Sequence, residues 1–265
     1  MKKELEKETE SAFIEGSVSV YAVMNSGSRD IVEIFLSPDA KKDDGKISGI
    51  IRRAKRAGIP VTDCTEEFYE EHSTAKTNGG VLALCSDRKF LSCEELLKKG
   101  YPFICLLCGV EDPYNFGYAV RSLYAAGAKG MLLPARNWLS AAGVCVRASA
   151  GATEFIDCAV YTDDIMMMKT AKENGYTVVC AEEKDSEDLF TCKKIENAEK
   201  ILLVIGGEKR GITKDILSNA DCKVRIPYGG DFDMSLTASA AASVLGFEIL
   251  RIKYADLGKD QKTNG

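Results

Sequence analysis

The stretch FICLLCGVEDPYNFGYAVRSLYAAGAKGMLLP, residues 103–134, decides the fold. It opens with an apolar, β-prone segment at 103–110 and passes through a turn that contains Pro113. A helical pattern over 116–127 then ends at a glycine, and a second apolar segment follows at 130–134. Strand, helix and strand in this order predict parallel strands joined by a helix.

The same alternation continues toward the C-terminus. A helix is predicted to begin at Ser140, and further strands and helices follow, with strands at 157–161, 176–182, 201–207 and 222–227 and helices at 162–175, 212–220 and 235–254. We therefore expect an α/β domain with a parallel sheet and helices on both faces over 101–257. The polar tail at 258–265 is predicted to be disordered.

A smaller pattern occupies residues 1–88, and the charged stretch 89–100 is predicted to be a linker with a short helix. A frayed helical lead-in is expected at 1–10. Strands are predicted at 17–24, 31–37, from Val61 and at 79–85, with a helix at 46–60 and a capping box at Asp63–Glu66 before a short helix. This pattern predicts a small α/β domain.

Charge restricts the ways in which the chain could bind nucleic acid. Its 265 residues carry a formal net charge of −5, whereas proteins that coat nucleic acid are usually basic. Any RNA contact must therefore be local. Arg52, Arg53, Lys55 and Arg56 crowd one helix and are candidates for phosphate contacts, although a solvated helix face explains them equally well.

Cysteine, histidine and hydropathy patterns argue against other classes. The charged N-terminus has no apolar core of a signal peptide, and no apolar run approaches the ~20 residues of a membrane span, so we expect a cytoplasmic protein with reduced thiols. Cys105 and Cys108 form a C-x-x-C in an apolar segment, which favours two buried cysteines over a metal site. His72 is the only histidine, which disfavours Ser-His-Asp and multi-histidine metal chemistry.

Three loops that follow predicted strands carry the candidate site residues. In open α/β sheets ligands bind at the carboxyl ends of the strands. The loops hold Asn115 and Arg121, then Gly206 and Glu208, then Ser235. Each also has a simple structural explanation: a capping Asn with a surface Arg, a tight turn with a solvated Glu, and a small-residue helix that packs closely.

In their order and spacing these loops resemble the three motifs of the SpoU-type (TrmH-like) RNA methyltransferases of the SPOUT superfamily. The matching segments are Asn115-Phe-Gly117-Tyr-Ala-Val-Arg121, Gly206-Gly207-Glu208-Lys-Arg-Gly211, and Ile226-Pro227 with Ser235-Leu236-Thr237-Ala238-Ser239. An intermediate signature is matched by Arg147-Ala148-Ser149-Ala150-Gly151-Ala152. Two positions depart from the family pattern: Thr237 replaces the usual Asn, and Gly207 replaces a frequent Asn or Ser.

The resemblance implies a C-terminal trefoil knot, a homodimer, and transfer of a methyl group from S-adenosylmethionine to a ribose 2′-hydroxyl of RNA. It implies cofactor contacts at Gly206, Ile226, Leu236 and Thr237. Residues 1–88 resemble the ribosomal-protein-like RNA-binding domain that often precedes the knotted domain, which favours ribosomal over transfer RNA as the target.

The resemblance also implies roles for the polar residues. Arg121 would orient the target phosphate and stabilise the developing alkoxide, held by Glu208 and Ser235, with Asn115 near the ribose or phosphate. The competing interpretation is a non-catalytic RNA-binding or assembly protein that retains the fold. A nicotinamide-dependent dehydrogenase is disfavoured, because the glycine loop has neither the glycine spacing nor the acidic ribose-binding residue.

Overall fold

The computed structural model describes residues 11–74, 79–135, 141–207, 210–231 and 233–260, with side chains up to Lys253. These residues cluster into two compact units. The first unit holds the described residues before 90 together with 141–155, and the second unit holds 90–135 and 156–260. The domain limits drawn from the sequence remain a prediction, because compact packing alone does not identify the segments that fold independently.

The described helices and strands alternate along the chain. In order they are β1 Ser11–Glu15, α1 Ser17–Ser26, β2 Ile31–Leu36, α2 Gly45–Ala57, β3 Val61–Asp63, α3 Glu66–His72, β4 Val81–Ser86, β5 Leu91–Ser92, α4 Cys93–Lys98, β6 Phe103–Cys108, α5 Pro113–Ala125, β7 Gly130–Pro134, α6 Ala142–Ala148, α7 Ala152–Phe155, β8 Asp157–Tyr161, α8 Asp164–Glu173, β9 Tyr176–Ala181, β10 Glu187–Asp188, α9 Lys193–Asn197, β11 Lys200–Gly206, α10 Lys214–Asn219, β12 Cys222–Arg225 and α11 Ala238–Asp260. A short 3-10 helix lies at Leu189–Thr191.

The first unit is built on a four-stranded mixed sheet in the order β1-β4-β2-β3. β4 runs antiparallel to β1 and β2, and β3 runs parallel to β2. Its core joins Ile14 and Ile34 from the sheet to Ile50 from α2 and to Ala142 and Val146 from α6. Segment 141–155 therefore packs as part of this unit.

The predicted strand at 17–24 is wrong, because these residues form α1. The alternation of serine and valine imitates the two-residue period of a strand. The buried residues, however, are Ser19, Val20, Ala22 and Val23, whose spacing follows one face of a helix. The strand of this region lies just before it, at Ser11–Glu15, and is followed by Gly16, whose φ of 93° favours glycine.

The second unit contains an eight-stranded sheet in the order β10-β12-β9-β11-β6-β7-β8-β5, and every pairing in it is parallel. All six residues of β6 are buried, as expected of a strand covered on both faces. Alternate β6 residues pack with α4, α8 and α10, whereas α11 contacts β11 and α5. The predicted parallel α/β sheet is confirmed.

Capping residues explain most differences between predicted and observed element limits. α5 begins at Pro113 because Asp112 accepts a hydrogen bond from the Asn115 amide at 2.7 Å. The cap before α3 is Thr65, and the predicted Asp63 is the last residue of β3. The predicted cap Ser140 lies outside the described residues.

Candidate active site

The three predicted loops leave one edge of the parallel sheet. They follow β6, β11 and β12, and β11 pairs directly with β6, with Gly206 opposite Cys108. Because all these strands run in the same direction, their carboxyl ends meet at one edge, where α/β sheets bind ligands. The end of β9, at Ala181, lies between the ends of β11 and β12 and borders the same loops, which the sequence analysis missed.

The first two loops touch through glycine backbones. The Gly207 amide donates to the Cys108 carbonyl at 2.7 Å and to the Arg210 carbonyl at 3.1 Å. A Cβ atom added at Gly207 would lie 2.1 Å from the Gly109 carbonyl oxygen, and one at Gly109 would lie 2.3 Å from the Arg210 oxygen. Gly207, where the resembling family frequently has Asn or Ser, thus permits an approach that a side chain would prevent.

The second loop turns tightly on Gly206. A Cβ atom there would lie 3.1 Å from both the Gly211 Cα and the Ile212 nitrogen. An exposed ion pair of 3.4 Å between Arg210 and Glu111 joins this loop to the first. The paired glycines leave backbone groups of Gly206 and Gly207 uncovered by side chains of their own, and backbone groups in such a turn can hold a ligand. Glu208, predicted to be catalytic, lies outside the described residues.

α5 carries Asn115 in its first turn and Arg121 nearly two turns later. Asn115 is half-buried and Arg121 is exposed, and no ion pair joins Arg121 to another described residue. The next residue, Ser122, accepts a hydrogen bond of 2.8 Å from Ser243 of α11. Thus α5 is fixed against α11 while the guanidinium of Arg121 remains available to a substrate.

The third loop places Ile226, Ser235 and Leu236 before α11. Ser235 is exposed, whereas Ile226 and Leu236 are half-buried. The Leu236 amide donates to the Tyr228 hydroxyl at 3.1 Å, which closes the loop on itself. Tyr228 was not predicted from the sequence, although its place directly before Gly229-Gly230 could have suggested a loop-closing role.

Thr237 has a structural role in this loop. Its hydroxyl accepts a hydrogen bond from the Ala240 amide at 3.3 Å, and its carbonyl accepts one from Ala241 at 2.9 Å. Thr237 therefore caps α11, which begins at Ala238 rather than at the predicted Ser235. Asn and Thr are both favoured at this position, so the cap survives the departure from the family's Asn.

Small residues in α11 serve helix packing. A Cβ atom at Gly246 would lie 3.1 Å from the Ala126 Cβ and 3.3 Å from Leu123 Cδ2, both on the α5 side. With the Ser122–Ser243 hydrogen bond, this contact brings the two helices close along their length. Close packing of α5 thus accounts for part of the small-residue pattern.

The intermediate signature lies in the first unit. Arg147 forms an ion pair with Glu15 and donates to the Thr74 hydroxyl at 2.9 Å. The Ser149 hydroxyl accepts from the Thr153 amide at 3.2 Å. Gly151 has a φ of 85°, and a Cβ atom there would lie 2.4 Å from the Ala22 Cβ. These residues therefore have partners within their own unit.

Cys105 and Cys108 are both buried in β6, which confirms the prediction of two buried cysteines. Burial raises the pKa of each thiol, so both are protonated near neutral pH. Among the described residues no group of three or more His, Cys, Asp or Glu side chains could hold a metal ion. No described helix is long and apolar enough to cross a membrane.

Comparison with known proteins accounts for both parts of the chain. The model of the SpoU rRNA methylase family matches residues 102–247, more than half of the chain. A model described as RNA 2′-O ribose methyltransferase substrate binding matches residues 13–91.

Relatives match over nearly the whole length. A putative TrmH family tRNA/rRNA methyltransferase of Bacillus subtilis is 27% identical, covering 90% of this chain and 95% of its own. A 23S rRNA (guanosine-2′-O-)-methyltransferase of Shewanella oneidensis is also 27% identical, covering 89% and 95%. An rRNA methyltransferase structure from Sinorhizobium meliloti, 22% identical, has the same fold, with a TM-score of 0.75 over 94% of this chain and 90% of that one.

These matches confirm the family, the enzyme class and the cofactor that the motifs predict. The chain belongs to the SpoU rRNA methylase family, whose members are S-adenosylmethionine-dependent RNA 2′-O-methyltransferases.

Proposed function

We propose that this chain methylates a ribose 2′-hydroxyl of ribosomal RNA at the sheet edge described above. The observation that carries the proposal is the backbone contact between Gly109 and Gly207. It joins the loop that leads to Asn115 and Arg121 to the loop that contains Glu208, which supports one shared site for two motifs far apart in sequence.

S-adenosylmethionine would supply the methyl group as a sulfonium, a leaving group that departs without charge. Gly206, Ile226, Leu236 and Thr237 would hold it. The tight turn at Gly206 supports this assignment, because a Cβ atom there would crowd Gly211 and Ile212. The hydrogen bond from Leu236 to Tyr228 fixes the opposite loop and leaves its backbone in a defined position.

The difficult step is activation of the ribose hydroxyl, which is a weak nucleophile. Arg121 would bind the adjacent phosphate and stabilise the developing alkoxide charge. An arginine remains protonated at neutral pH, so the hydroxyl proton would pass to a phosphate oxygen, to water or to a transiently neutral guanidine. The exposure of Arg121 and its lack of an ion pair with any described residue support this role.

The other polar residues would position the reacting groups. Glu208 and Ser235 would hold the Arg121 guanidinium through charge-assisted hydrogen bonds. Asn115 would contact the ribose or its phosphate from the first turn of α5, and its half-buried side chain is consistent with a restrained orientation.

The finer assignments are part of the same proposal. A ribosomal target is supported by the Shewanella relative, which is named for 23S rRNA, and a ribosomal substrate would place the enzyme in the cytoplasm. Exposed Tyr114, Tyr118 and Phe247 on α5 and α11 suit a homodimer interface. The trefoil knot is proposed from the match to the SpoU rRNA methylase family.

Replacing Arg121 tests the site. Arg121→Ala should reduce methyl transfer from tritiated S-adenosylmethionine to ribosomal RNA by about a hundredfold or more, as expected when a transition-state donor is removed. Binding of S-adenosylmethionine, measured by calorimetry, should remain close to wild type. Arg121→Lys is the matched control that retains charge but not the planar, two-pronged donor.

Full transfer by Arg121→Ala would refute the assignment. If wild-type protein binds neither S-adenosylmethionine nor its demethylated product, the non-catalytic interpretation is correct instead.

A further inference from the structure

The outer face of α2 carries a concentrated positive charge. Residues 41–56 contain seven basic and two acidic side chains, a local charge of +5 in a chain whose net charge is −5. The helix buries Ile47, Ile50 and Ala54, so its opposite face is directed to solvent. Gly49, Arg52 and Arg56 follow one another on that face at helical spacing, and both arginines are exposed.

Arg52 and Arg56 differ in their pairing from Lys42 and Lys89 of the first unit. Lys42 pairs with Asp63 and Lys89 with Asp30, each at 2.7 Å. No ion pair joins Arg52 or Arg56 to any residue that the structure describes. Their charge is therefore not compensated within the described part of the chain.

Beside this face, Arg53 is held on α1. Its guanidinium lies 4.7 Å from the Tyr21 ring centroid, and its Nη2 donates to the Tyr21 hydroxyl at 3.3 Å. Tyr21 is itself 41% exposed, so an aromatic ring and a fixed guanidinium border the face. Exposed aromatic and guanidinium planes of this kind also stack on nucleobases.

Helix stability explains only part of the pattern. Lys55 and Arg56, in the last turn, interact favourably with the helix dipole, but Arg52 lies one turn earlier. Gly49 lowers helix stability, because glycine is less favourable than alanine in a helix interior. A Cβ atom there would meet nothing within 4 Å, so packing does not require the glycine. A glycine there allows another molecule's backbone to approach the helix closely.

We propose that Gly49, Arg52 and Arg56 form a phosphate-binding face on which the sugar-phosphate backbone of the RNA substrate lies. The inference rests on the proposed function, since it takes RNA as the substrate. Two arginines on one helix face can each donate two hydrogen bonds to a phosphate. Gly49 lets the RNA backbone approach the helix between the Arg52 side chain and the N-terminal turn.

The charge experiment compares two double variants of the full chain. Arg52→Gln/Arg56→Gln removes two charges from the face, and Lys42→Gln/Lys89→Gln removes two paired charges from the same unit. Binding to a fluorescent ribosomal RNA transcript is measured across a salt series. The first variant should bind about tenfold more weakly near 0.1 M salt, with a log–log salt slope smaller by about two. The control should bind nearly as wild type does.

Gly49→Ala separates binding from folding. It should raise Tm by about 2–8 °C, because alanine favours the helix, and yet weaken binding to the same transcript. A merely structural role would not give a more stable protein that binds RNA less well.

An unchanged RNA dissociation constant in either face variant would overturn this inference while leaving the methyltransferase proposal intact. A wild-type protein that binds S-adenosylmethionine but no RNA would overturn both. Binding of poly-glutamate to the same variants is measured as well. If the Arg52→Gln/Arg56→Gln variant loses poly-glutamate binding and retains RNA binding, the face binds acidic polypeptides and the inference fails.

Discussion

Two regions of this chain match sequence signatures of the same family, and their polar side chains differ in whether they have partners within the described structure. In segment 141–155, Arg147 is paired with Glu15, and Gly151 contacts Ala22. On α5, which follows the loop after β6, Arg121 is exposed and has no ion pair with a described residue. The first region satisfies its polar groups within its own unit, and the second presents an arginine to solvent.

The difference shows what a motif match alone leaves undecided. Where the side chain of a signature residue makes its ion pairs and hydrogen bonds within the fold, its contribution to the stability of the fold is enough to explain its presence. A signature residue that is exposed and has no ion pair to a described residue is open to a substrate. By this criterion Arg121 is a candidate for chemistry, whereas Arg147 and Ser149 are structural.

The largest expected effect concerns Glu154, at the end of the structural segment. Its carboxylate is 2% exposed and lies 3.1 Å from the Arg29 Nε and 3.2 Å from an Arg88 Nη1. Glu154→Gln would remove the buried carboxylate that both guanidinium groups contact, and the Asp87 carboxylate 3.9 Å from Arg29 is half-exposed, so the free energy of unfolding should fall by about 3–5 kcal/mol. Urea denaturation of the full chain measures this.

Glu173→Gln is the matched control, since it removes the same charge from an exposed pair with Lys169 at 3.8 Å. That pair should contribute at most about 1 kcal/mol. Folded Glu154→Gln should bind S-adenosylmethionine as wild type does. If it remains folded but loses cofactor binding, the segment belongs to the active site and the distinction between the two regions fails.

A smaller effect is expected at the glycine contact of the sheet edge. Gly207→Ala would place a methyl group against the Gly109 carbonyl, and backbone atoms cannot rotate away as a side chain can. The free energy of unfolding should fall by about 1–3 kcal/mol, and S-adenosylmethionine should bind more weakly. Calorimetry with the cofactor and urea denaturation measure the two quantities.

Gly211→Ala, in the same loop, is the control for stability. A Cβ atom there meets nothing within 4 Å, so its stability should remain within about 1 kcal/mol of wild type. Equal stability of the two variants would mean that the loops do not touch as described.

The sequence predicted the second unit better than the first. The strands at 130–134 and 157–161 were predicted with their observed limits, because continuous apolar runs between glycines and helices leave few alternatives. In the first unit, short serine- and valine-rich segments suit both strand and helix, and 17–24 was assigned wrongly. Tertiary packing decides such segments.

In the candidate site, too, local sequence patterns were easier to predict than tertiary contacts. Strand predictions indicated three loops after parallel strands, and the structure places those loops at one edge, whereas the roles of Asn115, Arg121 and Ser235 stay a prediction. The Gly109–Gly207 contact could not be predicted, because it depends on the strand order β11-β6, which joins residues almost a hundred positions apart. For the same reason, the location of segment 141–155 in the first unit required the structure.

The smallest effect is expected at Thr237, a predicted cofactor-binding residue that also has a structural role. It lies at the sheet edge, yet its hydroxyl is used inside the fold to cap α11. Thr237→Ala should therefore lower the free energy of unfolding by about 1 kcal/mol, whereas Thr237→Asn, which restores the family's residue, should be nearly neutral. If Thr237→Asn also leaves methyl transfer unchanged, the departure at this position is structural. A large rise in transfer by Thr237→Asn, at constant stability, would show instead that the amide acts on the substrate or cofactor and that the cap is secondary.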